Sequence, residues 1–276
     1  SALFQSWGSI TVINPLEKIW NGYSDTRMGA SMDSYLNGYN DPRLPVYFQP
    51  VTDGDNKGEY RGVANGMPNP QQEDYKAMSS PNVQEKSTDS PLRWMMASEV
   101  AFLRAEGAMR GWTAEMGGTA EEFYNKGIEL SFLENGLSAD AAARYAADET
   151  SKPTDFTDVS AANTKYNISA LGKIAIKWNS GASEEEQLER IITQKWIAMF
   201  PNGTEAWSEF RRTGYPRLFP VRYNYPSSGV DTNKQIRRMV FPQSEYSNNG
   251  AAVQEAVKLL GGPDNGGTKL WWDKKN

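Results

Sequence analysis

The chain has 276 residues, no cysteine, no histidine and a formal net charge of -5, so it is long enough to bury a sizeable core. A mean hydropathy of -0.66 is typical of a globular protein rather than a membrane-spanning one. These values exclude disulfides, thiol nucleophiles, histidine bases and conventional zinc sites, and the acidic balance argues against nucleic acid as a partner.

Residues 1–90 are dense in Gly, Pro, Asn and Asp, which predicts a loop-rich segment. Within it the pattern predicts a helix over 25–36, a turn clasp at 41–43 and a short extended piece over 45–48. Residues 53–56 space their oxygen ligands as calcium loops do, but the rest of a calcium loop is missing, so a turn is predicted and no metal site.

The helical signal begins near residue 92. Met96, Val100 and Leu103 recur on one helical face. A second helix starts after Thr119, which forms a predicted capping box with Glu122. Residues 92–135 therefore form a predicted helical hairpin.

A second hairpin follows the same logic. Ser183 and Glu186 predict another capping box, an apolar stripe runs from Leu188 to Met199, and a shorter helix covers 205–212. Further helices are predicted over 139–147 and 251–260. Hairpins of about 34 residues are typical of tetratricopeptide-like units, so the fold class is all-α with long irregular loops.

Some side chains have predicted structural roles. We expect Arg104 to pair with Glu99 or Glu106 inside the fold, because buried charges must be paired. The stem of Lys195 is expected to cover apolar surface while its ammonium group stays in water. Trp271 and Trp272, at the end of the chain, are expected to pack into the core.

Several segments together resemble one family, the SusD/RagB outer-membrane lipoproteins of Bacteroidetes. Each string is weak alone, but they occur in the order that the family shows. The strings are NGYNDPRL (37–44), SEVAFLRAE (98–106), ITQKWIA (192–198), EAW (205–207) with RRTGYPRL (211–218), and RRMVFP (237–242) with TKLWWD (268–273).

This resemblance implies a single SusD-like domain over 1–276 that lacks its N-terminal part, with 1–90 as a loop-rich ligand-binding excursion and 91–276 as helical hairpins and a C-terminal tail. Family members begin with a signal peptide, a lipidated cysteine and a first pair of hairpins, which are not seen here. The resemblance also implies the outer face of the outer membrane, attachment through a lipid anchor, and delivery of glycan or peptide to a SusC-type TonB-dependent transporter. It implies no catalytic residue and no cofactor.

The ligand face is expected in residues 1–90, because loops on a rigid scaffold carry binding groups more often than the scaffold does. Sugar recognition needs aromatic rings that stack on C–H faces and side chains that hydrogen-bond hydroxyls. The candidate contacts are Tyr60, Arg61 and Asn65, with Tyr39, Tyr47, Tyr75, Trp7 and Trp94 as aromatic platforms.

Two other functions fit parts of the sequence. A helical glycoside hydrolase needs two carboxylates across a cleft, and no spacing among the acidic residues marks such a pair. A tetratricopeptide-type scaffold that binds a peptide in a concave groove explains the hairpins but not the long loops. A peptide-binding member of the SusD/RagB family combines both views and stays open as the alternative.

Overall fold

A computed structural model describes residues 2–4, 14–67, 71–82, 92–225 and 228–274. The described chain is mainly helical, which confirms the predicted fold class, and none of its helices is long and apolar enough to cross a membrane. In chain order the elements are β1 (Ala2–Phe4), α1 (Pro15–Glu17), a π-helical turn (Lys18–Gly22), α2 (Ala30–Gly38), α3 (Leu44–Tyr47), α4 (Gln72–Tyr75), β2 (Leu92–Met95), α5 (Ala97–Met109), α6 (Thr113–Met116), α7 (Ala120–Glu134), α8 (Ala139–Ala146), α9 (Glu184–Ala198), α10 (Gly203–Thr213) and α11 (Gln243–Leu259).

The first predicted hairpin is the pair α5 and α7, and α9 packs against both. The two helices approach closely because Gly127 has no side chain: a Cβ there would lie 2.7 Å from the Phe102 ring. Phe102 and Ile128 are fully buried, and burial of a side chain of this size contributes roughly 1.5–3 kcal/mol. Residues of α2 and α3 share this core, so part of the loop-rich segment is packed onto the hairpins.

The two predicted capping boxes differ in outcome. At α7, Glu122 N donates to Thr119 Oγ1 at 3.2 Å and Thr119 N donates to Glu122 Oε2 at 2.7 Å, so the box is complete. At α9, Glu186 N donates to Ser183 Oγ at 3.3 Å. The Glu186 carboxylate, however, pairs with Arg190 one turn later at 2.7 Å, so this box is only half-formed.

The predicted helix over 25–36 is shifted, since α2 covers Ala30–Gly38. The reason is tertiary: Met28 N donates to Ser79 O, and Val63 N donates to Met28 O, at 2.8 Å each. These two bonds hold residue 28 as an extended link between neighbouring loops, and the helix begins only after it.

The predicted extended piece over 45–48 is wrong, because Leu44–Tyr47 forms the short helix α3. Asp41 Oδ1 accepts a hydrogen bond from Arg43 N at 2.9 Å, and Leu44 N and Tyr47 N donate to the carbonyls of Asp41 and Arg43. Proline is tolerated in the first turn of a helix, where its missing N–H leaves no bond unmade.

A buried clasp forms at the predicted turn. Arg43 Nε and Nη2 donate to the Asp41 carboxylate at 2.9 and 2.6 Å, and neither side chain is exposed. Arg43 also donates to Ser131 Oγ and Gln194 Oε1 at 2.9 and 3.1 Å. Burial by itself lowers the pKa of Arg43, but Asp41 outweighs it and raises that pKa above its usual value. The clasp therefore ties the loop after α2 to α7 and α9.

The prediction for Lys195 is wrong. Its side chain is 1% exposed, and Nζ lies 2.6 Å from the carboxylates of both Glu205 and Glu209. Helix α10 folds back over α9 and brings these two acids to the ammonium group. Such a contact is decided by the arrangement of the two helices, which the periodicity of α9 alone does not contain.

The predicted pairing of Arg104 is also wrong. Its guanidinium lies 3.9 Å from the centre of the Phe123 ring. Glu106 instead accepts hydrogen bonds from Arg110, which directly follows α5, and from Arg212 of α10 at 2.7 and 2.6 Å. Burial would raise the pKa of Glu106, but the bonds from Arg212 hold it below its usual value.

The C-terminal tail is anchored through its residues 272 and 273. Asp273 is buried and accepts from Arg237 Nε at 2.8 Å, and the half-buried Trp272 lies 5.2 Å from the guanidinium of Arg211. Trp271 is 81% exposed, so the expected core packing is wrong for this residue.

Candidate ligand-binding surface

The residues predicted to contact ligand do not form one surface. Tyr39 and Tyr47 are only 1% and 4% exposed and belong to the main core. Their predicted role as platforms is wrong, because their rings have no face open to a ligand. Trp7 lies outside the described residues.

Three other candidates, Tyr60, Tyr75 and Arg61, are half-buried or already have partners within the protein. Tyr60 is half-buried and packs against the main core, and Tyr75 is half-buried in α4. The Arg61 guanidinium pairs with Glu59 at 2.8 Å, and its backbone N–H donates to Ser79 Oγ at 3.0 Å. Contact between these residues and a ligand stays a prediction.

Trp94 is 69% exposed on β2 and lines a cavity of about 340 Å³ beside the end of α9. Arg93, Phe200 and Asn202 line the same cavity, together with apolar side chains. The role of Trp94 as a platform stays a prediction. This residue lies in a different cavity from Asn65, the other exposed candidate.

Asn65 lies at a second surface, which is formed with the described residues of one loop, 221–225 and 228–232. This loop is closed by Val221 N donating to Thr232 O at 3.0 Å, and it is joined to Asn65 by Arg222 N donating to Asn65 O at 2.8 Å. Gly66 makes the approach possible, because it has a φ of +75° and a Cβ there would overlap Val221. The Asn65 carboxamide itself makes no hydrogen bond to the described residues, so both its donor and acceptor groups are open to a ligand.

Two exposed tyrosines extend this surface. Tyr223 and Tyr225 are 46% and 72% exposed, and their rings meet edge to face with centroids 5.6 Å apart. Asn224, between them, donates from Nδ2 to Val230 O at 3.3 Å, which turns its Oδ1 away from that bond. Exposed rings beside carboxamides are the parts that sugar recognition requires.

Gln235 completes the surface and is held in an unusual backbone conformation, with a φ of +55°. Its N–H donates to Asp231 O at 2.8 Å, and its Nε2 donates to Phe219 O at 3.2 Å. Non-glycine residues in the left-handed region cost free energy and cluster at ligand-binding sites. We call the group Asn65, Tyr223, Asn224, Tyr225 and Gln235 the carboxamide surface.

Two cavities open on the carboxamide surface. The first, of about 270 Å³, is lined by Asn65 and Gln235 together with Arg27, Trp196 and Phe200. The Arg27 guanidinium donates to several backbone carbonyls, and burial is the main cause that lowers its pKa. It is therefore a fixed positive wall of this cavity.

The second cavity, of about 410 Å³, is mostly apolar. It is lined by Asn224 and Gln235 with the apolar side chains Trp207, Val221, Val230, Ile236 and Met239. Neither this lining nor that of the first cavity includes a described Asp or Glu. Since hydrolysis of a glycosidic bond needs a pair of carboxylates, the described geometry suits binding rather than glycoside cleavage.

Sequence reasoning missed most of this surface. Tyr223, Asn224 and Tyr225 follow the helical hairpins, whereas binding residues were expected before or at their start. One signal was present: residues 220–231 combine Pro, Gly, Asn and Asp with tyrosines, which is loop chemistry with aromatic groups.

Comparison with known proteins gives one family. The family model of SusD-like proteins, described as SusD and RagB outer-membrane lipoproteins, matches residues 2–273. No protein with a curated description matches the chain.

Solved structures that resemble this chain belong to the same family. A chitin-binding SusD homolog from Flavobacterium johnsoniae is 42% identical with a TM-score of 0.87, and the match covers 97% of this chain and 54% of that one. A SusD homolog from Bacteroides thetaiotaomicron is 40% identical with a TM-score of 0.88, covering 100% and 56%. One from Bacteroides uniformis is 42% identical with a TM-score of 0.85, covering 96% and 54%.

The chain thus spans little more than half the length of these relatives. Its match to the family model nevertheless runs from residue 2 to residue 273, which includes every described helix. The chain belongs to the SusD and RagB family of outer-membrane lipoproteins.

Proposed function

We propose that this chain is part of a non-catalytic glycan-binding protein that captures oligosaccharide or polysaccharide at the cell surface. The observation that carries the proposal is its 42% identity, over 97% of its length, to a SusD homolog described as chitin-binding. Members of this family are binding proteins rather than enzymes, and the acid-free cavities of the carboxamide surface are consistent with that role.

The carboxamide surface supplies the physical basis for the proposal. It combines two exposed rings with three carboxamides, and its cavities fall near the size of small-molecule sites. Rings stack on the C–H face of a sugar, while amide oxygens and nitrogens bond its hydroxyl groups. A sugar bound there would replace its hydrogen bonds to water with hydrogen bonds to these side chains, so its hydroxyl groups would stay paired.

We further propose that the whole protein is lipid-anchored at the outer face of the outer membrane and passes its ligand to a SusC-type TonB-dependent transporter. The description of the family as outer-membrane lipoproteins supports the location. The handover to a transporter rests on family resemblance, and no residue of this chain is assigned to it.

The test is a glycan-array screen of the purified chain, followed by calorimetry on each hit and by sugar-release assays. We expect saturable binding to one polysaccharide class without turnover. Tyr225→Ala should weaken that binding, whereas Trp112→Ala should not, because Trp112 is an exposed aromatic between α5 and α6, outside the carboxamide surface. Silence across the array together with binding to a peptide library would replace this proposal with the peptide-binding alternative.

A further inference from the structure

Gln235 lies between the two cavities of the carboxamide surface, since its side chain lines both. Each cavity has a second carboxamide of its own, Asn65 in the first and Asn224 in the second. The two cavities are therefore neighbours that share one polar group and present a similar polar group at each end.

The available hydrogen-bonding groups define the chemistry of the ligand. Asn224 Nδ2 and Gln235 Nε2 already donate hydrogen bonds to backbone carbonyls. The side-chain oxygen of each amide is therefore the group left for a ligand. Neither oxygen accepts a hydrogen bond from the described residues. These acceptors require a ligand that donates hydrogen bonds, as hydroxyl and amide N–H groups do. An ionised carboxylate or sulfate has no proton to donate there.

The orientation of Gln235 is fixed before any ligand binds. Its left-handed backbone is held by the bond from its N–H to Asp231 O, and its side chain by the bond to Phe219 O. A group held by both backbone and side chain loses little conformational entropy on binding. The shared acceptor is therefore preorganised.

The volumes define the size of the ligand. The cavities measure about 270 and 410 Å³. At roughly 30 Å³ for each water molecule, each cavity has the size of on the order of ten waters, so each admits at least one sugar ring. One ring cannot fill both cavities. The exposed Tyr223–Tyr225 pair offers stacking area for additional rings beside them.

Building on the proposed glycan-binding function, we propose that this surface binds an uncharged, linear oligosaccharide that occupies both cavities and crosses Gln235, which accepts a hydrogen bond near the middle of the ligand. Monosaccharides reach only one cavity and bind weakly. Acidic oligosaccharides are disfavoured, because the apolar second cavity offers acceptor oxygens and no described charged side chain. Arg27 in the first cavity does not reverse this preference, because its guanidinium already donates to four backbone carbonyls.

The experiment measures affinities by calorimetry for N-acetylglucosamine, its trisaccharide and hexasaccharide, the hexasaccharide of cellulose, and the hexasaccharide of galacturonic acid. We expect at least one neutral hexasaccharide to bind at least a hundredfold more tightly than the monosaccharide. The acidic hexasaccharide should bind at least tenfold more weakly than the better neutral one.

Three variants then test the bridge. Asn65→Ala and Asn224→Ala lie in different cavities, and each should weaken binding of the neutral hexasaccharide about tenfold, which is the value of one lost hydrogen bond of ordinary strength. Asn125→Ala, an exposed asparagine on α7, is the matched control and should change nothing. Gln235→Gly removes the shared side chain while glycine still adopts the left-handed backbone conformation. It should weaken binding at least as much as Asn65→Ala or Asn224→Ala does.

The outcomes separate the two proposals. If the unaltered chain binds none of these neutral or acidic sugars, the glycan-binding function itself fails for them, and this inference fails with it. If the chain binds a neutral hexasaccharide but only one of Asn65→Ala and Asn224→Ala weakens it, the ligand occupies a single cavity and the bridge is overturned. Tighter binding of the acidic hexasaccharide, or equal binding of the monosaccharide, also overturns it while leaving the glycan-binding function intact.

Discussion

Replacing Arg43 by methionine tests how far the buried clasp stabilises the fold. The substitution removes both charge-assisted bonds to Asp41 and the bonds to Ser131 and Gln194. Among the described residues, the Asp41 carboxylate, which is 0% exposed, then keeps only the bond from the backbone N–H of residue 43. Leaving a buried charge without its partner costs about 3–5 kcal/mol.

That loss is a large share of the roughly 5–15 kcal/mol that stabilises a folded domain. At about 2–4 °C for each kcal/mol in a chain of this size, Tm should fall by about 10 °C. The assay is urea unfolding followed by tryptophan fluorescence, for which the chain has 9 Trp. We expect the midpoint to fall while the slope with denaturant stays unchanged.

Two companion variants make the result specific. Arg61→Met breaks an ion pair with Glu59 whose side chains are 32% and 49% exposed, and exposed pairs are worth less than about 1 kcal/mol. Asp41→Asn combined with Arg43→Met removes the stranded charge and should recover part of the loss. If Arg43→Met costs no more than Arg61→Met, the buried clasp does not stabilise the fold as argued here.

Three further predictions concern single positions. A Cβ on Gly38 would lie 2.6 Å from the Thr154 backbone nitrogen, so Gly38→Ala should lower the free energy of unfolding by at least about 1–3 kcal/mol. Gly203 has open space around it, so Gly203→Ala should be neutral or stabilising. Equal urea midpoints for the two variants would contradict this. Burial raises the pKa of Glu189 above its usual value of 4.5, so the folded state holds that proton more tightly. The stability that this contributes at low pH is lost as pH rises above about 4.5. Glu189→Gln should therefore gain stability relative to the unaltered chain between pH 4 and 8, and parallel unfolding curves over that range would show the assignment to be mistaken. Lys195→Met leaves Glu205 without its buried partner, while Glu209 keeps its pair with Arg212, and should lower the free energy of unfolding by about 3 kcal/mol, measured in the same titration. A loss below about 1 kcal/mol would contradict this.

Local signals in the sequence were enough for the elements that depend on neighbours along the chain. The stripe of α9, the capping box of α7 and the turn clasp at Asp41 and Arg43 were predicted, because each needs residues only a few positions apart. The short sequence strings, in the order that the SusD/RagB family shows, also predicted the family, and the match to the family model confirms that prediction.

Predictions failed where a distant segment decided the outcome. The start of α2 was displaced by hydrogen bonds from residues 63 and 79, and the ammonium group of Lys195 was buried by α10. Tyr39 and Tyr47 looked like platforms because they lie in a loop-rich segment, yet that segment packs against the hairpins and buries both rings. Burial of one aromatic ring depends on the whole packing arrangement, and no local pattern records it.

The sequence by itself determined the helical class, the hairpins, the family and the absence of cysteine and histidine chemistry, because composition and short-range periodicity contain that information. Only the tertiary structure brought Asn65 beside Tyr223 and Tyr225, more than 150 positions later in the chain, and placed Gln235 between two cavities. A binding surface needs side chains from separate loops at a fixed spacing, and that spacing is determined by the packed core that holds the loops.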